Sequence, residues 1–549
     1  MGGVLSYNSK VLRAVDKNKW YRPSDWLPIS HLASPGDQKI VLLVAVFPNT
    51  NTQGFKNVLT TRATSVGGYN VNWGDGSAVE LIATNTVGEH VYNYENLPPS
   101  TQCSRGYRQA IVTITGVGNL TAFNMGYKRA TTLNEGHINQ ILDAHIYGTH
   151  LATFSFYFNA GVNCNLLEHC KVYQVTNAMT SMANMFQNLK LIQEIEILDL
   201  NTENVINMVN VFCDCSSLYY IDVNNFNTTK VAIMDSIFRG TAIKDINVSN
   251  FNAPLCTNHA NMFFSCINLT YVDLSSFDFS KTTSLGTMFS GCRSLKTVKW
   301  PNVVDLNLCT NILQMFLGCT SLEIMDFSGF INTNNIQAMV GIVSNCFNLR
   351  KFIISPSFDT SNLNTVNGQN SMFQDCYMLE EINFENTNFN NSNAANSTLI
   401  RNNYAMKVCR LPGVKYAINA RYSSLDATNI NLLFNDLANL NGAINTMTLH
   451  TAGTGYVVGN IITISAGNND ASVKVLTIGS GGAVATFRIN HSGTGYSVAT
   501  NLSTTGGTGT GFKLNITALI ASQAIDVRNT PGYATCTPAI ATAKNWTVT

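Results

Sequence analysis

Hydrophobic residues recur at a fixed spacing between Met179 and Phe384. In most copies an aromatic anchor is followed by a cysteine three positions later and by a leucine six positions later. The anchors are Phe186, Phe212, Phe238, Phe263, Phe289, Phe316, Val343 and Phe373, with successive gaps of 26, 26, 25, 26, 27, 27 and 30 residues. A repeat of this length predicts a solenoid, in which each coil stacks on its neighbours to bury a shared face.

Two local patterns predict the elements inside each coil. Apolar residues nine and eleven positions after the anchor, as in Ile221/Val223 and Val272/Leu274, alternate with polar ones. This alternation predicts a short strand with one buried face. Several copies also carry a Met four positions before the anchor, and this Met-x-x-x-Phe spacing predicts one helical turn. The chain is therefore predicted to be mainly β with short helices.

The residues on the opposite side of these strands predict one open sheet face. The candidate binding residues on this face are Tyr220, Asp222, Asp245, Tyr271, Asp273 and Asp326. Two interpretations remain open: a merely solvated face, or a surface that recognises a ligand. Aromatic side chains such as Tyr220 and Tyr271 would suit the second, because they can stack on sugar rings.

The segments before the repeats predict two further parts. Residues 1–35 contain Trp20, Tyr21 and Trp26 in an irregular, proline-containing stretch that either packs on the next domain or attaches the chain to another subunit. Residues 36–125 contain several β-type runs and turn signals, which predict a β-sandwich. Within it Asp75 either caps a Gly-Asp-Gly turn or contributes to a calcium site.

The segments after the repeats predict an interrupted end to the array. The solenoid is assigned to 126–449, with a helix whose apolar face carries Ile430, Leu433, Phe434 and Leu437. Residues 450–520 hold Gly-Thr-Gly-Tyr twice and predict a small β-module inserted into a closing coil at 521–549. Insertion predicts that His450 and Ser522 lie close together.

Composition excludes several classes of function. Charged residues make up only 12% of the 549 residues and the net charge is +1, so no basic stripe for nucleic acid is expected. No apolar run is long enough for a membrane-spanning helix. The nine histidines are scattered without a recognisable catalytic arrangement, so we expect no enzymatic activity and no cofactor.

The cysteines predict buried thiols more readily than a disulfide or metal framework. Six of them share one repeat position, where stacked neighbours have poor disulfide geometry. Cys164, His169 and Cys170 form the one cluster with metal-binding character, but no second pair follows at zinc-finger spacing. We therefore expect no metal.

The repeat phrase Met-Phe-x-x-Cys-x-x-Leu, clearest at 262–274 and 288–300, resembles the BspA-type leucine-rich repeat of bacterial surface proteins and mycoplasma lipoproteins. The Val-x-Trp-Gly-Asp-Gly segment at 71–76 with His90 and Tyr92 is similar to PKD-type domains, which are immunoglobulin-like sandwiches. Together with the leader and the Gly-Thr-Gly-Tyr module, these features resemble tail-fibre, head-fibre or decoration proteins of tailed phages.

That resemblance implies a virion structural protein without catalytic function. Its N-terminal segment would bind other virion proteins, and its repeat surface would contact a host glycan or protein, with homo-oligomers expected. Residues 1–7 lack a basic segment followed by an apolar core, so no signal peptide is expected. This favours a virion location over the alternative, a bacterial cell-surface adhesin.

Overall fold

A computed structural model describes residues 20–48, 57–125, 140–157, 166–173, 179–359, 362–363, 371–387, 389 and 399–549. The chain forms two compact units: residues 1–253 with 266–272, and residues 254–265 with 273–549. Each unit is mainly β. Among the helices in the described ranges, none combines the length and apolar character needed to cross a bilayer.

The N-terminal strands belong to two sheets. They are β1 (Gln38–Val46), β2 (Val58–Ser65), β3 (Tyr69–Asn72), β4 (Glu80–Ile82), β5 (Val87–Val91), β6 (Arg108–Gly116), β7 (Leu120–Asn124), β8 (Ile141–Gly148) and β9 (Thr153–Ser155). One sheet contains β4-β3-β6-β1-β8 in that order, and the other is β5-β2-β7-β9. The buried Tyr69 hydroxyl in the first sheet donates to the Thr61 carbonyl of the second, 3.1 Å away.

The first sheet does not end at β8. Strands β10 (His169–Tyr173) and β11 (Glu194–Leu198) extend it beyond β8, giving seven strands. β8 pairs antiparallel with β1 on one side and parallel with β10 on the other. The antiparallel sheet and the first parallel coils therefore share one hydrogen-bonded ladder.

The anchor residues stack as the repeat predicts. In the first unit the Phe186 and Phe212 rings lie 5.6 Å apart with an angle of 2° between planes. In the second unit Phe263 and Phe289 are 5.3 Å apart at 4°. All four rings are buried, so like residues lie over like and form columns along each unit.

The predicted helical turn before each anchor is wrong. Residues two positions before and two positions after the anchors have positive φ, and an α-helix of L-residues requires negative φ throughout. Instead, the N–H groups of Asn184, Phe186 and Asn188 donate to carbonyls of the following coil at 2.9, 2.9 and 2.7 Å. The segment is thus a series of turns bonded to the next coil, with short-range bonds such as Met185 N–H to the Met182 carbonyl at 3.1 Å in place of an α-helix.

The repeat cysteines bond the coils to one another. Each thiol donates to the anchor carbonyl of the preceding coil: Cys215 to Phe186 at 3.0 Å and Cys266 to Phe238 at 3.0 Å in the first unit. In the second unit Cys292 donates to Phe263 at 2.9 Å. A small side chain that fits the core and carries a donor explains why cysteine occupies this position.

The strands of the remaining coils are short. They are β12 (Tyr271–Asp273), β13 (Thr297–Lys299), β14 (Val304–Asp305), β15 (Ile324–Phe327), β16 (Phe330–Ile331), β17 (Lys351–Ile354), β18 (Glu381–Asn383), β19 (Val408–Arg410) and β20 (Ile418–Asn419). β15-β17-β18-β19 form one parallel sheet. β19 belongs to a further coil, with Ile400 as its anchor, that the asparagine-rich sequence conceals.

The C-terminal part carries the two α-helices of the described residues, α1 (Ala427–Asp436) and α2 (Ala539–Thr542). α1 forms where the sequence predicts it, and Ile430, Leu433 and Phe434 are buried. The strands are β21 (Ile444–Thr454), β22 (Ile461–Ile464), β23 (Ser472–Ile478), β24 (Val484–His491), β25 (Ala499–Thr505), β26 (Thr510–Leu519), β27 (Gln523–Asp526) and β28 (Trp546–Val548).

The Gly-rich module is a six-stranded antiparallel sheet that lies in sequence between two paired strands of successive coils. Its order is β21-β26-β25-β22-β23-β24, while β20 pairs in parallel with β27, which follows the module in sequence. The module begins and ends at Ala443 and Ile520, whose carbonyl and N–H are joined by a 2.8 Å hydrogen bond. These two residues, and not His450 and Ser522, mark the ends, because β21 already belongs to the module's sheet.

Candidate functional site

The predicted open face in the first unit carries exposed tyrosines. Tyr220 is 64% exposed and Tyr271 is 43% exposed. Asp245 forms a parallel bridge with Tyr271, and its carboxylate accepts a hydrogen bond from the Thr270 hydroxyl at 3.0 Å. The tyrosine rings are therefore available to solvent, whereas Asp245 already has a protein donor.

The acidic residues ten positions after the anchors have a shared local function. Each side-chain oxygen accepts the N–H two residues onward: Asp222 from Asn224 at 3.0 Å, Asp273 from Ser275 at 2.9 Å, and Asp326 from Ser328 at 2.8 Å. This arrangement is an Asx turn, which ends the strand and starts the next bend. These carboxylates stabilise turns, and part of their capacity to accept hydrogen bonds is used there.

Asp273 has an additional partner in the second unit. Lys299 Nζ lies 2.8 Å from its carboxylate. Burial favours the neutral acid, but the hydrogen bonds from Lys299 and Ser275 outweigh it and hold the pKa of Asp273 below its ordinary value. Asp273 is thus an ionised, paired group.

A second row of exposed aromatic side chains lies in the second unit, four positions after three consecutive anchors. The Phe347 and Tyr377 rings are 5.1 Å apart at 4°, and Tyr377 and Tyr404 are 5.5 Å apart at 17°. All three side chains are exposed to solvent. We call Phe347, Tyr377 and Tyr404 the aromatic row. The sequence signal for the aromatic row was an aromatic residue four positions after the anchor. At Tyr404 this signal was hidden, because the coil anchored at Ile400 was missed.

The leader residues lie in different environments. Trp26 is buried against Val41 and Leu43 of β1, and its indole N–H donates to the Tyr107 hydroxyl at 3.1 Å. Trp20 is partly buried, and its indole N–H donates to Glu168 at 3.3 Å. Tyr21 is 72% exposed. The two tryptophans therefore pack within the chain, as one of the two interpretations of this segment expects, and residues 1–19 lie outside the described ranges.

The residues on which the predicted PKD resemblance rests form one network. The Trp73 and His90 rings stack at 5.0 Å, and the Tyr92 hydroxyl donates to the Trp73 carbonyl at 3.0 Å. Asp75 contacts His90 Nε2 at 2.8 Å and accepts the Ser77 N–H at 3.1 Å. Burial acts against the carboxylate, yet the bonds from Ser77 and His90 lower the pKa of Asp75. Asp75 thus caps its turn and also orients His90.

Beneath the leader, one face of the seven-stranded sheet holds a buried group of ionisable residues. Asp143 and His145 are two residues apart on β8, so their side chains lie on the same face of the strand. The strand register places His169 of β10 beside Asp143. Glu196 of β11 lies beside Lys171 of β10. We call Asp143, His145 and His169 the sheet cluster. They occupy adjoining positions on two strands, and all three are buried.

His169 is held between two carboxylates. Its Nδ1 lies 2.7 Å from Asp143 Oδ1 and its Nε2 lies 3.0 Å from Glu196 Oε1. Burial opposes the charged imidazole, but the hydrogen bonds to Asp143 and Glu196 outweigh burial and raise the pKa of His169 to about 9. Trp20 stacks on the imidazole at 4.7 Å and covers it.

The carboxylates are held in their charged forms. Burial would favour the neutral acid at Asp143, yet hydrogen bonds from His145 and His169 depress its pKa. The hydrogen bond from His169 lowers the pKa of Glu196 to about 2. Arg22 of the leader also contacts Asp143, with Nε 3.1 Å from Oδ2.

His169 was the one member of the sheet cluster that the sequence singled out. The partners suggested for it were Cys164 and Cys170. Cys164 lies outside the described residues, and strand alternation turns Cys170 to the other side of the sheet. Asp143 and His145 precede the repeats and become its neighbours only through the pairing of β8 with β10. Sequence spacing alone carries no signal for such a cross-strand group.

Comparison with known protein families shows a similarity within the solenoid. The chain is similar to the family described as "Mycoplasma protein of unknown function, DUF285" over residues 155–243 and 219–322. These residues include the coils anchored from Phe186 to Phe316. The match is compatible with the BspA-type repeat. No curated protein matches the chain.

Proposed function

We propose that the chain is a non-enzymatic structural and adhesion protein that presents its coils as an extended contact surface. The aromatic row carries this proposal. Three aromatic side chains from three consecutive coils lie exposed at one position, although burial of such side chains is normally favourable. Tyr and Phe are typical of binding surfaces, because they provide large contact area at low conformational cost.

The particle proposed for it is a phage virion, with the chain acting as a tail fibre, head fibre or decoration protein. In this proposal the N-terminal sandwich is a PKD-like spacer. The leader attaches the chain to other virion proteins, and the exposed Tyr21 is one leader residue that would contribute. Host glycan or protein is the ligand of the coils, and a homo-oligomer would multiply weak contacts.

A bacterial surface adhesin is the second candidate. The similarity to a mycoplasma family over residues 155–243 and 219–322 favours it. In both candidates the coils form the contact surface. The candidates differ in whether a virion or a bacterial cell carries the protein. Mass spectrometry of purified virions and of bacterial envelope fractions separates them.

The contact surface is tested with the purified full chain, labelled and applied to glycan arrays and to host cells. Tyr377→Ala with Tyr404→Ala should reduce binding at least tenfold if the aromatic row makes the contact. Tyr220→Ala with Tyr271→Ala tests the predicted open face in the same way.

Tyr533→Ala is the matched control, because Tyr533 is exposed but lies outside both surfaces. Circular dichroism should show unchanged folding for every variant. Normal binding by both double variants would contradict the proposal that the coils bind through these tyrosines.

A further inference from the structure

The three members of the sheet cluster bring one potential ligand atom each close together. Asp143 Oδ1 lies 2.7 Å from His169 Nδ1 and 3.4 Å from His145 Nε2. One potential ligand atom from each residue lies within 4.8 Å of the other two. Neighbouring ligand atoms around a tetrahedral zinc ion are separated by about 3.3 Å, given metal–ligand bonds of about 2.0 Å. The spacing in the sheet cluster is of this order.

In Asp143 and His169, the polar atom that faces away from the other two residues already has a partner. Arg22 Nε holds Asp143 Oδ2 at 3.1 Å, and Glu196 Oε1 lies 3.0 Å from His169 Nε2. A carboxylate on the far nitrogen of a ligating histidine is a common feature of metal sites, because it sets the tautomer and orients the ring. Glu196 stands in that position toward His169.

His145 supplies the independent observation. Its side chain is buried, yet its Nδ1 has no hydrogen-bond partner among the described residues. Its Nε2 lies 3.4 Å from Asp143 Oδ1, which is long for a hydrogen bond. The ion pairs of His169 with Asp143 and Glu196 are complete without it. A buried imidazole with so little hydrogen bonding costs free energy, and coordination through Nε2 would replace its long contact to Asp143 with a metal–ligand bond.

We propose that Asp143, His145 and His169 bind one divalent transition-metal ion of the zinc type. Two imidazoles and a carboxylate suit such an ion better than Mg²⁺ or Ca²⁺, which prefer sets of oxygen ligands. Binding replaces the proton between His169 and Asp143. The ion would join β8 to β10 and fix the last antiparallel strand to the first coil. The stacking of Trp20 on His169 and its hydrogen bond to Glu168 place the site under the leader, which favours a structural role.

The test uses the purified full chain, freed of metal by chelator and then titrated with Zn²⁺ or Co²⁺. We expect one Zn²⁺ per chain by elemental analysis, a higher melting temperature with Zn²⁺, and visible Co²⁺ absorption typical of low coordination number. His145→Gln should weaken Zn²⁺ binding by more than the roughly 10- to 100-fold that follows removal of a partner that only orients a ligand. It should change the melting temperature in chelator little, because the glutamine amide can still donate to Asp143.

His150→Gln is the control, since His150 is exposed just beyond β8. Asp143→Asn should also abolish binding, and His145→Gln keeps the test decisive if that variant does not fold. Absence of stoichiometric Zn²⁺ binding by the wild-type chain would overturn the proposal. Full Zn²⁺ binding by His145→Gln would overturn it as well, because the ion would then be held elsewhere, for example by cysteines.

Discussion

The thiol of Cys292 donates a hydrogen bond to the carbonyl oxygen of Phe263, 2.9 Å away in the preceding coil. The bond recurs in the second unit from Cys319 to Phe289 at 3.1 Å and from Cys346 to Phe316 at 3.1 Å. The Phe289 and Phe316 carbonyls also accept the N–H three residues on, from Cys292 at 3.0 Å and Cys319 at 3.1 Å. The cysteine thiol is therefore the donor that reaches the anchor carbonyl from the next coil.

Cys292→Ala tests that role. The substitution removes one hydrogen bond to the buried Phe263 carbonyl, so we expect a loss of about 0.5–1.5 kcal/mol in free energy of unfolding, measured by urea denaturation. Cys536→Ala is the control, because Cys536 is partly exposed and should change stability little. Equal stability of both variants would show that the Cys292 thiol acts only as a small apolar group.

Phe289→Ala tests the stacked column. Phe289 is fully buried between Phe263 and Phe316, with ring centroids 5.3 and 5.1 Å away. Removing the ring leaves a cavity in a rigid stack, and we expect a loss of about 3–5 kcal/mol. Phe347→Ala, on the exposed aromatic row, should cost far less in the same urea titration. Similar losses for the two variants would contradict the packing described for Phe289.

The columns were predictable because stacking requires each coil to repeat the residues of the last one. Cys292 and Phe289 could therefore be assigned to buried positions from spacing alone. The helical turn was wrong since a Met-x-x-x-Phe spacing cannot reveal positive φ at residues such as Asn184 and Ser265, which is set by bonding to the next coil. The partners of His169 were missed because strand register, and not sequence distance, brings Asp143 and His145 to it.

Acid should destabilise the chain through His259. This imidazole is completely buried beside the Thr282 hydroxyl, 3.1 Å from Nδ1, and burial lowers its pKa from 6.5 to about 4. The unfolded state thus binds the proton first, so stability is complete above pH 6.5 and falls as the pH approaches 4. The gap corresponds to about 3 kcal/mol.

His259→Gln should flatten this part of the stability curve between pH 6.5 and 4, measured by urea titration at each pH. His450→Gln, at an exposed position, should keep the wild-type curve. If His259→Gln retains the full acid dependence, another group is responsible for it.

Alkali should destabilise the chain through the repeat thiols. Burial raises the pKa of Cys266 to about 11 and of Cys346 to about 12, from 9 in each case. The unfolded chain loses these protons first, so stability is complete below pH 9 and declines as the pH rises toward 11 and 12. In this range the free energy of unfolding falls by about 1.4 kcal/mol per pH unit for each thiol. Cys346→Ala should reduce the slope under anaerobic, reducing conditions, and an unchanged slope would contradict the assignment.

Removal of the Gly-rich module should leave the closing coil intact. Ala443 and Ile520 are joined by a 2.8 Å hydrogen bond, so a short Gly/Ser link can replace 444–519 while β20 still pairs with β27. The deletion also removes Ser492, whose hydroxyl accepts a 2.7 Å hydrogen bond from the buried Lys415. Lys415→Met should accompany the deletion, since an apolar side chain avoids a buried ammonium without its acceptor. Loss of the cooperative thermal transition in the combined variant would show that the module is integral to the coils.

The shared ladder from β1 through β8 to β10 has a consequence for synthesis. The strand of a new coil needs a neighbouring strand to complete its backbone hydrogen bonds. Once β1 has paired with one edge of β8, the other edge of β8 is ready to pair with β10. The ribosome delivers the chain from this end, so each newly emerged coil meets a finished template and can be added in turn. Assembly would then proceed in one direction, as a crystal grows from a seed. Chains that lack the seed would expose β10 as an open strand edge and would associate with one another.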